Sequence, residues 1–370
     1  MRVGVPKEIK NSEFRVGLTP GSVREYVAHG HEVSVQTGAG AGIKASDQDY
    51  IAAGARIAPD DKAIFDNAEM IVKVKEPQPS EYAQLREGQI LYTYLHLAPD
   101  PDQTHGLIKS GATCIAYETV TDEAGGLPLL APMSEVAGRL SVQAAAYALT
   151  AHRGGRGLLM GGVPGVKPAQ VLIIGGGVVG THAAKMAAGL GADVTILDRS
   201  LKRMAEIDDI FLGRVKTRYS TFEALEEETD GADVVVGAVL IPGASAPKLV
   251  TRDMLKDMKE GSVLVDVSID QGGCFETSKP TTHDDPTYEV EGVLHYCVAN
   301  MPGAVPLTSS HALNNATLAC GLALADHGLE ALKKNKHLLN GLNVHKGKIT
   351  YQAVAKALNL EYTPPLEALN

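Results

Sequence analysis

The chain has 370 residues, 44% hydrophobic and 21% charged, a balance that excludes a disordered or fibrous protein and suits roughly two globular domains. With 34 basic and 44 acidic residues the net charge is −10 and no basic block occurs, which excludes nucleic acid as an expected partner. No apolar run approaches the roughly 20 residues needed to cross a bilayer, and charges interrupt the opening MRVGVPKEIK where a leader needs its apolar core, so a cytoplasmic location without membrane contact is expected.

Residues 2–6 read as a strand, 21–29 as a helix, 31–36 and 70–74 as further strands, and this alternation predicts a parallel sheet. Apolar runs at 91–97 and 113–117, bounded by Pro, Gly and Asp, complete a first doubly wound domain. Pro132 then precedes Ser134, an N-cap candidate, and the alanine-rich stretch 135–151 reads as a long helix joining the domains.

Residues 171–198, VLIIGGGVVGTHAAKMAAGLGADVTILD, form the strongest signal in the chain. A wholly apolar strand is followed at once by Gly175, Gly177 and Gly180 in the spacing G-x-G-x-x-G, with Val178 and Val179 opening a helix. The first glycine permits the tight turn, the second lets backbone approach a pyrophosphate, and the third allows close helix packing. Asp198 ends the next strand, about 20 residues on, where an acid grips a ribose hydroxyl. An acid there favours NAD over NADP, whereas Arg199 and Arg203 beside it are what a 2′-phosphate would seek.

Runs at 233–240, 262–267 and 293–298 supply the later strands of this sheet. The loop 300–306 then precedes an apolar stretch, 310–325, that reads as helix and returns the chain to the first domain. The expected architecture is α/β: two doubly wound domains separated by a cleft, one of them a Rossmann dinucleotide-binding domain. The expected boundaries are residues 1–128 with 307–370 for the first domain and 129–306 for the second.

Beyond the fingerprint, no nucleophile elbow, metal motif or close acid-base pair stands out. Longer blocks do: MRVGVPKEIK with FRVGLTP, VKVKEP, TYLHLA, GAVLIPGASAPKLV, SIDQGGCFETS and YCVANMPGAVPLTSSHALNNATL. From end to end they resemble the alanine dehydrogenase family. The resemblance implies reversible oxidation of L-alanine with NAD and water to pyruvate, ammonium and NADH, by a homohexamer.

It also implies roles for four residues. Arg15, in FRVGLTP, is similar to the family's carboxylate binder, which suits a guanidinium fork; otherwise Arg15 reads as a surface ion pair with Glu13. Lys75 is similar to the second substrate contact, and without the motif would be a strand-end lysine facing water. His96 is similar to the general acid and base, although a lone histidine in an apolar run is usually a core residue. Asp270 resembles the second catalytic acid, while a helix cap or turn aspartate fits the local sequence almost as well.

For the cofactor the resemblance adds Ser134, Arg203, Ser220, Val239, Leu240, Val267, Ser268, Ile269, Asp270, Lys279, Val298, Ala299, Asn300 and Met301. Ser134 reads equally as a helix cap and Lys279 as a solvated charge. Two rivals share the scaffold: the NAD-binding domain of a transhydrogenase, and a nonenzymatic NAD-sensing protein. Retention of His96 and Asp270 in matching motifs argues against the first, and retention of all four site residues against the second. Cys114, Cys274, Cys297 and Cys320 are scattered without a C-x-x-C pair, and His327 stands one helical turn from Ala323, which cannot coordinate. No disulfide and no intrinsic metal are expected.

Overall fold

The computed structural model describes residues 1–239 and 246–370. Leu240, expected at the cofactor site, lies outside the described residues. Strands run at Arg2–Val5 (β1), Glu32–Gln36 (β2), Arg56–Ala58 (β3), Met70–Val72 (β4), Ile90–Thr93 (β5), Thr113–Ala116 (β6), Gln170–Ile174 (β7), Asp193–Asp198 (β8), Lys216–Tyr219 (β9), Val234–Gly237 (β10), Val263–Asp266 (β11), Thr287–Val290 (β12), Val293–Tyr296 (β13), Leu342–His345 (β14) and Lys348–Ile349 (β15). The chain divides into two compact units, Met1–Met133 with Gly303–Asn370, and Ser134–Pro302.

The first unit holds the sheet β15-β14-β6-β5-β4-β1-β2-β3, parallel from β1 to β6 and antiparallel at β14 and β15. The second holds β12-β13-β11-β10-β7-β8-β9, parallel except at β12. The two sheets grow alike. From β1 the chain steps outward through β2 and β3, then returns to the other side of β1 for β4, β5 and β6; from β7 it repeats the pattern. Both faces of such sheets are covered by helices, so β4, β5, β6, β10 and β11 are buried at every position and are built largely from Val, Ile and Leu. Ligands of open α/β sheets bind outside the carboxyl ends of the strands, where the order reverses.

Several elements differ from the sequence expectation for local physical reasons. The long helix spans Ala131–Ala148, with Pro132 tolerated in its first turn, so Ser134 lies inside the helix and is not its cap. β5 stops at Thr93 rather than running to 97, because the Glu118 carboxylate takes the backbone N–H groups of Leu95 and His96 out of the ladder. β4 stops at Val72 because Glu8 takes that of Val74. The returning helix is longer than expected, Pro306–His327, with proline at its first position. The cysteines carry no disulfide. Among the described residues no helix is long and apolar enough to cross a membrane.

Gly138, inside the long helix, sits where a Cβ would fall 2.2 Å from the Val179 carbonyl oxygen. Gly138→Ala would raise stability by about 1 kcal/mol in an open helix. Here it is expected to lower stability by about 1–3 kcal/mol, measured by urea unfolding followed by circular dichroism.

Candidate active site

In the first unit, the loops at the carboxyl ends of the neighbouring strands β1, β4 and β5 carry Arg15, Lys75 and His96. Arg15 is 2% exposed. Glu13 accepts its backbone N–H at 3.0 Å, its Nε–H at 2.7 Å and an Nη2–H at 2.5 Å, while Nη1 lies 3.0 Å from Met133 Sδ. The pair with Glu13 therefore exists but is internal, which corrects the surface reading. Burial acts to lower the guanidinium pKa, but the Glu13 carboxylate more than offsets this and holds it above the ordinary value.

After β4 the chain carries two lysines. Lys73 is wholly buried between Glu8, at 3.0 Å, and Glu81, at 2.6 Å. The second Glu8 oxygen accepts the Val74 N–H at 2.7 Å, clamping the backbone just before Lys75. Burial pushes the Glu8 carboxyl up to about 7, with Lys73 opposing. Lys75 is buried as well rather than facing water, with Nζ 3.7 Å from a Glu76 oxygen. Lys10 pairs with the other Glu76 oxygen. Burial acts to raise the Glu76 carboxyl, but the charges of Lys75, His96 and Lys10 outweigh it and hold the group at about 2. Glu76 thus ties Lys75 electrostatically to His96.

His96 is half-buried and adopts φ 48, a left-handed conformation that a non-glycine residue takes only when held there. Glu118 does the holding: its carboxylate accepts the His96 N–H at 2.7 Å and the Leu95 N–H at 3.1 Å. The Tyr94 ring stacks on the imidazole, centroids 5.8 Å apart and 14° from parallel, and is itself pinned by a 2.6 Å bond from its hydroxyl to the Leu129 carbonyl. Burial raises the Tyr94 pKa, with the Arg15 charge opposing. Arg15, Lys75 and His96 therefore share one neighbourhood through Tyr94 and Glu76, and His96 is not a satisfied core histidine.

In the second unit the glycine turn follows β7. Gly175 has φ 102, and a Cβ on Gly180 would fall 1.8 Å from the Gly175 carbonyl oxygen. A Cβ on Gly177 would meet nothing within 4 Å, which leaves that side of the turn open. The helix Val178–Gly189, beginning with Val178 and Val179, has no side-chain cap, so its first N–H groups suit an anion. Asp198 ends β8 and braces the turn, its carboxylate accepting the N–H groups of Gly176 and Ser200, each at 2.7 Å. Arg203 donates to the Gly176 carbonyl, to Thr181 Oγ1 and to Glu206, each at 2.6 Å. These observations fit a dinucleotide: a cradle that a Cβ would fill, uncapped helical N–H groups and an acid at the end of the second strand.

The other cofactor candidates lie on nearby strand ends. Ser220 follows β9 and donates its N–H to the Asp198 carbonyl. Beyond β10, the Val239 carbonyl accepts the Ser268 hydroxyl at 2.8 Å, and Val267 donates its N–H to Gly237. Ile269 and Asp270 form the short turn Ile269–Gln271 past β11, Ile269 buried and Asp270 exposed. Buried Asp266 supports this loop by accepting the N–H groups of Ser268 at 3.0 Å and Cys274 at 2.9 Å. Lys279 is more than a solvated charge, since its Nζ lies 4.3 Å over the Tyr288 ring. Val298 bridges to Thr281, Ala299 donates to the Thr281 carbonyl, Asn300 has φ 59, and Met301 is buried in the turn Met301–Ala304. Ser134 is half-buried in the first turn of the long helix.

Sequence reasoning did not single out Glu8, Glu76, Glu118 or Asp266. One signal was present: Lys73 alternates with valines in a buried strand end, and a lysine there demands a buried counter-charge.

A parallel sheet of this order, with this glycine turn and terminal acid, defines a dinucleotide-binding protein of the doubly wound α/β class. The comparisons narrow it: residues 4–137 match the family model "Alanine dehydrogenase/PNT, N-terminal domain" and 141–352 its C-terminal counterpart. The chain belongs to the alanine dehydrogenase/PNT family. It is 62% identical to the alanine dehydrogenase of Halomonas elongata over 98% of both chains, and 52% identical to that of Mycobacterium tuberculosis over the whole of both. A solved L-alanine dehydrogenase superposes with a TM-score of 0.94 at 52% identity, over 97% of this chain and 99% of that one. The transhydrogenase of Sinorhizobium meliloti is more distant: TM-score 0.81, 26% identity, 95% and 100% covered.

The Glu8 carboxyl, raised in the folded chain, favours folding below its ordinary range, and that contribution is lost as pH rises through about 7. Stability should therefore fall in this component between about pH 5 and pH 8, and Glu8→Gln should flatten it. Urea titrations at each pH check this, and an unchanged slope in the variant would assign the dependence to other groups.

Proposed function

We infer that this chain is an L-alanine dehydrogenase that uses NAD, oxidising L-alanine with water to pyruvate and ammonium and running the reverse. The observation that carries the reading is the convergence of Arg15, Lys75 and His96 on three adjacent strand ends, with full-length relatives that bear that name in support. The transhydrogenase-like alternative is less favoured, since that relative is far more distant.

Bound NAD supplies the acceptor for the hydride that leaves the alanine Cα. The remaining work falls to the chain. Arg15 Nη1 faces the Met133 thioether, a weak acceptor, and a substrate carboxylate would replace that contact with a charge-assisted bond. Lys75 Nζ stands 3.7 Å from Glu76, too far for a hydrogen bond, and would turn to the substrate carboxylate or the forming carbonyl oxygen. The oxidised carbon takes up water, and a His96 ring nitrogen receives the proton that water loses. The Asp270 carboxylate serves the second proton transfer, and ammonia departs once its nitrogen is protonated. Stacking on Tyr94 and the Glu118 clamp fix the His96 ring for this task.

NAD is preferred to NADP because Asp198 closes the ribose end of the cradle and would repel a 2′-phosphate, while each guanidinium nitrogen of Arg203 already has a partner. The resemblance carries the remaining proposals: a cytoplasmic homohexamer acting on small molecules, without nucleic-acid or membrane partners. A mass measurement in solution checks the assembly.

NADH absorbance should rise with L-alanine and NAD and fall with pyruvate, ammonium and NADH; no turnover in either direction overturns the reading. Asp270→Asn is expected to bind NAD normally and to lose about 100-fold or more in kcat, and near-normal turnover would remove Asp270 from the mechanism. Arg15→Lys, which keeps a charge against buried Glu13, should raise the KM for alanine about ten-fold or more by losing the forked contact.

A further inference from the structure

Among the described residues, one group of side chains has the composition and spacing of a metal site, and it is remote from the chemistry above. His29 and His31 flank Gly30 in the turn between the helix Pro20–Ala28 and β2, while Asp326 lies in the last turn of Pro306–His327. All three belong to the first unit. His29 Nδ1 is 3.0 Å from one Asp326 oxygen, His31 Nε2 is 2.9 Å from the other, and the three ligand atoms lie within 4.8 Å of one another.

We propose that His29, His31 and Asp326 bind a divalent transition ion of the zinc class, as a clip between the amino-terminal segment and the returning helix of the first unit. Two imidazole nitrogens and one carboxylate suit borderline ions such as Zn2+ and not the hard, all-oxygen preference of Mg2+ or Ca2+. Ligand atoms at about 2.1 Å from a tetrahedral ion stand about 3.4 Å apart, and the observed spacings bracket that value, so small side-chain rotations suffice.

The surroundings favour an ion as well. His31 is buried, and its other nitrogen, Nδ1, accepts a hydrogen bond from the Met1 amino group at 3.2 Å, which fixes the ring with Nε2 toward Asp326. Burial pushes the His31 pKa down, toward the neutral imidazole that coordinates. Hydrogen bonding from His29, then from His31, keeps Asp326 ionised by holding its pKa below the usual range. The His29 side chain is 43% exposed and that of Asp326 27%, which provides an entry path and a position for water. Zinc entry displaces the protons now shared between each imidazole and the carboxylate, and a bond to the ion replaces each hydrogen bond.

The turn lies at the amino end of β2, whereas Arg15, Lys75 and His96 lie at the carboxyl ends of strands parallel to it. The ion is therefore structural, and the test reads binding rather than turnover. Chelator-treated protein titrated calorimetrically with Zn2+ alone should take up one ion per chain at this site and gain thermal stability. His29→Gln and Asp326→Asn should each weaken that binding at least ten-fold and abolish the thermal gain while leaving alanine turnover unchanged. His96→Gln should retain it, which separates this site from zinc held by the active-site imidazole. No uptake by the wild type, equal uptake by the His29 and Asp326 variants, or loss confined to His96→Gln would overturn the proposal and leave the three residues as a hydrogen-bonded clip.

Discussion

A parallel sheet must stop, and where its strands stop their backbone N–H groups lose ladder partners in a largely buried setting. Carboxylates meet that need at the strand ends that matter. Glu8 takes the N–H beyond β4, Glu118 takes two beyond β5, Asp198 takes two around the β7 turn and the end of β8, and Asp266 takes those of the loop beyond β11. Each releases the chain from the sheet at a defined residue. The residue set free next is Lys75, His96, the glycine turn or Asp270, which are the residues proposed to carry the chemistry.

Buried acids of this kind are costly unless their charge is matched. The first unit matches them in pairs and chains: Glu13 with Arg15, Glu8 and Glu81 with Lys73, and Glu76 with Lys10, Lys75 and His96. The result is a site built from side chains whose partners are already in place, which under the proposed function would reduce reorganisation when a substrate carboxylate arrives. Lys73 contributes no donor to the substrate in this arrangement; it stabilises the acid that positions its neighbour. The alternation of Lys73 and Lys75 across one strand end separates a cation paired on both sides by carboxylates from the lysine proposed to contact substrate.

What was legible in the chain was local. The run from Val171 to Ile174, the spacing of Gly175, Gly177 and Gly180, and the acid at Asp198 lie within one βαβ unit, and their periodicity carries the fold of that unit. Short, polar or peripheral strands were not legible: β9 reads Lys-Thr-Arg-Tyr and pairs only because β8 offers an edge, and β14 joins the first sheet from more than 200 residues away in sequence. The site divides in the same way. Arg15, Lys75, His96 and Asp270 are proposed from their blocks, but their neighbours in the fold could not be named, because Glu8 meets Lys73 and Arg15 meets Met133 only after the chain has folded. The length of the β5 strand was misjudged for that reason: nothing local to residues 91–97 announces that Glu118 will end it.

The same distinction underlies the proposed preference for NAD. Read along the chain, Arg203 stands a few residues beyond Asp198 as a competing phosphate ligand. Folded, its Nε and both terminal nitrogens are directed at the Gly176 carbonyl, Thr181 and Glu206, so it buttresses the glycine turn from outside. Recruiting it to a 2′-phosphate would give up these contacts and leave the Gly176 carbonyl without that donor, which supports the proposed preference for NAD. Proximity in sequence suggested a rivalry between Asp198 and Arg203. In the structure they are joint supports of one turn, the acid holding the Gly176 N–H and the arginine holding its carbonyl.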